Sequence, residues 1–174
     1  MLAAVLALGP AGCGFRPLYG QAGTNAQSSG LRADLSAVRI KPIADREGQM
    51  LRNGLLTRLT PQGEPADARY ELAVVLMSSE SGQGYRKDAL ATLGQLRVDA
   101  IYTLTELNSE NPRSFGSRQS TTAYFDYIGP RYATVAMERD AWQRAIDDLA
   151  DHIANNVSMV LSGKQAWSLK EKLP

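Results

Sequence analysis

Two residue types on which much catalytic and metal chemistry depends are nearly missing from this sequence: it holds one cysteine, Cys13, and one histidine, His152. A single cysteine excludes an internal disulfide and any zinc site built on paired thiolates, and a single histidine leaves no His pair for a metal. An excess of one charge is missing too: 19 Lys and Arg stand against 18 Asp and Glu, a formal net charge of +1. Chains that bind nucleic acid by general electrostatics carry a basic surplus, so no nucleic-acid partner is expected. No apolar run approaches the roughly 20 residues that a membrane-spanning helix needs. The nucleophile elbow G-x-S-x-G, the phosphate loop G-x-x-x-x-G-K and the dinucleotide fingerprint G-x-G-x-x-G do not occur, and Gly82-Gln83-Gly84 is a lone G-x-G in a turn. His152 reads as a solvated or capping residue. Asp147, Asp148 and Asp151 read as a solvated helix face rather than a metal cluster. No catalytic residue and no metal ligand can be named. What remains, 44% hydrophobic and 21% charged residues over 174 positions, is a folded chain with room for about one domain.

The N-terminus carries the first positive signal. Residues 2–8 are apolar without a break and are followed by Gly9, Pro10, Ala11, Gly12 and Cys13. The run is the length of a signal-peptide centre, and small residues before the cysteine suit a signal peptidase. This resembles the lipobox of bacterial lipoproteins, with Pro10 where that pattern usually has Leu. The expectation is a signal peptide over 1–12 and a lipid-acylated Cys13, whose covalent anchor is the one attached group expected; no other cofactor is. The following Gly14, where Asp would retain a lipoprotein in the inner membrane, implies the outer membrane.

Cys13-Gly14-Phe15-Arg16-Pro17-Leu18-Tyr19-Gly20 then resembles the mature start of the LptE family of lipopolysaccharide-assembly lipoproteins, in particular the alphaproteobacterial type, which commonly reads C-G-F-x-P-L-Y-G. Phe15, Leu18 and Tyr19 sit close to the expected acyl anchor, where they can pack on a partner or the membrane interface, or cover one end of the core. Residues 21–30 have no large apolar side chain and read, within an anchored segment over 13–34, as a flexible tether.

The domain proper is expected over 35–163, with a partly ordered tail over 164–174. Val38 and Ile40 alternate with Arg39 and Lys41 as a short strand ended by Pro42. Asp45 suits a helix cap, and Met50, Leu51, Leu55 and Leu59 recur at helical spacing until Pro61. Gly54 suggests close packing of that helix on a sheet. From Ala68 the period becomes two through Met77, and the polar stretch 78–84 breaks it. Strands follow over about 95–106 and 115–127, and a helix over about 132–161 carries Trp142, Ala145, Ile146, Leu149, Ile153, Val157 and Val160 on one stripe. Tyr124, Phe125 and Tyr127 alternate, so one set is core and the other faces out. The order β-α-β-β-β-α predicts an α+β two-layer sandwich, two helices on one face of a four-stranded, mostly antiparallel sheet. The resemblance implies the same fold.

Arg86 and Lys87 follow Tyr85 at the end of a hairpin, where adjacent cations beside an aromatic can receive a phosphate or simply be solvated. The resemblance implies a lipopolysaccharide contact at this hairpin, through Arg86 and Lys87, with Arg131 near a second basic position of the family. It also implies a 1:1 complex in which the lipoprotein plugs and supports the outer-membrane barrel protein LptD, facing the periplasm or lying in the barrel lumen, and delivers lipopolysaccharide to the outer leaflet without catalysis. Two other readings fit the residues: a lipid-anchored auxiliary subunit of another periplasmic transporter, and a hydrolase using Asp with Ser or Lys.

Overall fold

The computed structural model describes residues 26–85, 91–110, 112–127 and 131–163. One sheet is formed by β1 (Val38–Ile40), β2 (Tyr70–Tyr85), β3 (Ala91–Glu106) and β4 (Ser114–Asp126), lying side by side in chain order. β1 runs parallel to β2, while β2–β3 and β3–β4 are antiparallel. Three helices accompany it: α1 (Ala26–Ser36), α2 (Asp45–Leu59) and α3 (Arg131–Leu161). The expected α+β succession β-α-β-β-β-α is therefore present, preceded by one more helix.

Period two decides which sheet face is buried. Leu72 and Val74 of β2, Leu96, Val98, Ala100, Tyr102 and Leu104 of β3, and Phe115, Ala123 and Phe125 of β4 all point inward. They meet Leu51, Leu55 and Leu59 of α2 and Ile146, Leu149, Ile153 and Val157 of α3 in one core. Each large apolar side chain withdrawn from water contributes about 1.5–3 kcal/mol. Tyr102 is fully buried, and its hydroxyl accepts a hydrogen bond from Asn156 Nδ2 at 2.8 Å, so its polar atom is satisfied inside the core.

The two main helices touch through a small-residue contact. A Cβ at Gly54 would stand 3.2 Å from the Cβ of Ala150, so the missing side chain lets α2 approach α3, not the sheet as the sequence suggested. At the same crossing Arg58 Nε donates to Asp151 Oδ1 at 2.6 Å and its Nη1 donates to the Gly54 carbonyl at 3.1 Å. Asp151 is thus part of a helix–helix clamp.

Three local expectations change. Ala26–Ser36 is helical, so α1 occupies part of the stretch whose composition suggested a tether; Leu35 buries into the core, and Asp34 pairs with Arg69 at the foot of β2. Asp45 does not cap α2. Ala44 is the N-cap without a side-chain bond, and Asp45 opens the helix in the left-handed region at φ 65°. Finally, β2 continues through the polar stretch 78–84 to Tyr85, paired with β3 at every position of that stretch except Gly84.

The outer sheet face is open. Val75 is 61% and Met77 44% exposed, and beside them Asp99 accepts from Ser120 and from Arg97. Those bonds, Ser120 first and then Arg97, hold the Asp99 carboxyl below its usual range.

Candidate functional site: the hairpin end

β2 and β3 pair from Tyr70↔Glu106 out to Tyr85↔Ala91, a ribbon much longer than the core beneath it. At its far end Gly84 has φ 63°, which glycine adopts without strain, and its carbonyl accepts from Thr92 Oγ1 at 2.6 Å. Further in, Gly82 faces Gly94 across the ladder, and Gly94 faces Phe125 on β4. Phe125 fills the space above Gly94 and meets Tyr127 edge-on, with ring centroids 5.4 Å apart. Phe125 is buried, whereas Tyr124, on the other face, is 51% exposed. The alternation expected for this aromatic group is what the strand delivers.

β4 ends at this same edge, since Tyr127 N donates to the Thr92 carbonyl at 3.1 Å. The chain then enters α3 at Arg131, and residues 132–140 contain no buried position. Tyr132 is 86% exposed, with Val135 and Met137 also outward. Ala141 is the first fully buried residue of the helix. The opening turns of α3 therefore lie outside the core.

Between them lies a small acidic group. Glu80 of β2 points to the helix side, where the indole of Trp142 donates to its carboxylate. Burial, and then the negative charge of Glu138, raise the Glu80 pKa against that hydrogen bond. The meeting of Glu80 with Glu138 and Trp142 was missed in the sequence because β2 and α3 lie far apart in the chain. The available signal was the inward register of Leu76, Ser78 and Glu80, which continues the period of Leu72 and Val74.

Arg86 and Lys87 lie outside the described residues, between the paired Tyr85 and Ala91. Arg131 is the first residue of α3, four residues after Tyr127, whose N–H bonds Thr92 near the outer end of the ribbon. Cys13, Phe15, Leu18 and Tyr19 also lie outside the described residues. His152 is exposed and 3.4 Å from Asp148, one turn earlier on α3. Among the described residues no three His, Cys, Asp or Glu side chains converge as a metal site, and no helix is long and apolar enough to cross a membrane.

These features define a two-layer α+β module with a protruding hairpin end. Solved structures share its fold. A lipoprotein crystal structure from Caulobacter crescentus matches with TM-score 0.60 and 24% identity, covering 79% of this chain and 98% of that one. Rare lipoprotein B from Shewanella oneidensis matches with TM-score 0.52 and 11% identity over 73% of this chain and 97% of its own. Lipoprotein B from Nitrosomonas europaea matches with TM-score 0.50 and 15% identity over 72% of this chain and 83% of its own. No curated protein matches by sequence. Residues 35–157 match the family LptE: Lipopolysaccharide-assembly, and the chain belongs to that family. It is a non-enzymatic family of lipopolysaccharide-assembly lipoproteins of the cell envelope.

Proposed function

We propose that the protein is an outer-membrane lipoprotein, acylated at Cys13, that plugs and supports the LptD barrel in a 1:1 complex while lipopolysaccharide passes to the outer leaflet. The family match over residues 35–157 carries this reading. The C-G-F-R-P-L-Y-G start, with Phe15, Leu18 and Tyr19 beside the anchor, supports it independently because it falls outside the matched region. The lipopolysaccharide contact is assigned to the hairpin end: Arg86 and Lys87 in the β2–β3 connection supply bidentate and point-charge donors for lipid A phosphates, and Arg131 enters from the start of α3.

The test is a tagged pull-down from gently solubilised envelopes, with the retained proteins identified by mass spectrometry. Stoichiometric LptD supports the complex. Recovery alone overturns it, and recovery with an inner-membrane permease shifts the assignment to a transporter subunit. In a lipopolysaccharide-binding assay, Arg86→Ala with Lys87→Ala is expected to weaken binding by roughly tenfold or more, given that charge-assisted hydrogen bonds are worth about 1.5–3 kcal/mol each. Unchanged binding removes the hairpin end from the reading.

A further inference from the structure

β1 covers only the first three residues of β2, which it pairs at Tyr70, Glu71 and Leu72. Its line then ends at Pro42, which has no N–H to continue a ladder. Tyr70 N donates to the Ala37 carbonyl at 3.2 Å, and the Leu72 carbonyl accepts from Lys41 N at 2.9 Å. Residues 70 and 72 thus direct their backbone groups away from β3. By strand alternation Val74, Leu76 and Ser78 do the same, while residues 73, 75 and 77 bond β3. Among the described residues, no backbone group outside the sheet bonds Val74, Leu76 or Ser78.

Two further observations fall on this stretch. Beneath the edge is a pocket of about 310 Å³ whose lining includes Pro42, Ile43, Leu76 and Trp142. Its charged lining residues are Asp45 and Glu47, with no Lys or Arg among them. Above the edge, on the outer face, Val75 and Met77 are exposed at 61% and 44%. An added strand answers all three features. Its backbone meets the open donors and acceptors, its inward side chain enters the pocket, and its outward side chains cover Val75 and Met77. The opposite edge is poorer: along β4 the outward positions from 116 to 122 are Gly116, Arg118, Ser120 and Thr122, and at Tyr124, the one large outward side chain, the carbonyl already accepts from Arg144 at 3.1 Å. A second copy of this chain would bring the same two carboxylates rather than their complement.

We propose that the β2 edge over residues 74–78 receives an extended segment of the partner barrel protein as an added strand, with an apolar side chain in the pocket of Ile43, Leu76 and Trp142 and a basic one toward Asp45 and Glu47. This rests on the partnership proposed above. The test compares amide hydrogen exchange of the full chain alone and in its copurified complex with LptD. In the complex, exchange at Val74, Leu76 and Ser78 slows by roughly tenfold or more. Ser78→Pro removes one edge donor without touching the β2–β3 ladder, and it lowers complex recovery by roughly tenfold, the worth of about 1.4 kcal/mol. A complex in which these three amides exchange as in the free chain overturns the strand addition and leaves the partnership standing. Failure of the unmodified chain to form any complex overturns both. The exchange measurement needs no variant, so it decides the matter even if Ser78→Pro does not fold.

Discussion

The ring of Phe125 lies across Gly94, its register partner on the neighbouring strand, so closely that a Cβ at position 94 would stand 2.4 Å from the ring Cζ. No real side chain tolerates that distance, so the aromatic ring and the glycine form one packing unit at the edge of the core. Gly94→Ala must displace the ring and is expected to destabilise the fold by about 1–3 kcal/mol, the usual range for overpacking. Thermal or denaturant unfolding measures it. In a Phe125→Leu background the same change should cost distinctly less, and equal costs in both backgrounds would refute the contact.

Arg58 and Asp151 join α2 to α3 through a pair in which Asp151 is well exposed. Asp151→Asn is therefore expected to cost less than about 1 kcal/mol, and the loss should shrink further in 1 M salt. Leu149→Ala, a few residues earlier and fully buried, is expected to cost about 2–5 kcal/mol regardless of salt. Comparing the two by urea unfolding shows whether the helices are held by charge or by packing.

Tyr102→Phe removes the hydroxyl that accepts from Asn156 in the core and leaves the amide without that partner. A loss of about 1 kcal/mol is expected. Replacing both residues with apolar groups of similar shape should recover part of it, as a double-mutant cycle would show.

The pH dependence has two opposing parts. Glu106 is held below its usual range by the side-chain hydrogen bond from Arg113, and Asp151 by that from Arg58. A lowered folded pKa means stability that is present above the ordinary carboxylate range and lost as these groups protonate, so acid unfolding should set in below about pH 4. Glu80 has the reverse sign. Its pKa is raised by burial and by Glu138, so its favourable contribution exists at low pH and disappears as pH rises through its folded value. Glu80→Gln should accordingly raise the melting temperature at pH 7 and lose that advantage near pH 4.

The body of the fold was legible because its residues obey simple periods. Leu96 to Leu104 alternate cleanly and Ile146 to Val157 keep helical spacing, so strand, helix and buried face follow from the pattern. The outer part of β2 was not legible because Ser78, Glu80 and Gly82, which continue the inward register of Leu72 and Val74, lie beyond the core and no longer need to be apolar; cross-strand pairing holds the strand instead. α1 was obscured by Ser28, Ser29 and Gly30, poor helix formers whose helix depends on the docking of Leu35. Asp45 reads as a cap from composition alone, yet Ala44 takes the N-cap position and Asp45 opens the helix at φ 65°, while Ile43 packs on Gly48, whose Cβ would lie 2.7 Å from Ile43 Cγ2. For the site, adjacent cations were visible in the sequence, whereas the meeting of Glu80, Glu138 and Trp142 is a tertiary event with no local signal.

The facing glycines Gly82 and Gly94 leave the ribbon with no side chains of its own on either strand at that rung. On the helix side the buried Phe125 ring fills the space over Gly94, so the packing at this rung comes from β4. Opening of the outer ribbon and of residues 132–140 exposes little apolar surface, so it proceeds at a small fraction of the global unfolding free energy. The molecule thus divides into a wedge held by buried apolar side chains and an outer part, the paired ends of β2 and β3 and the start of α3, held mainly by backbone hydrogen bonds.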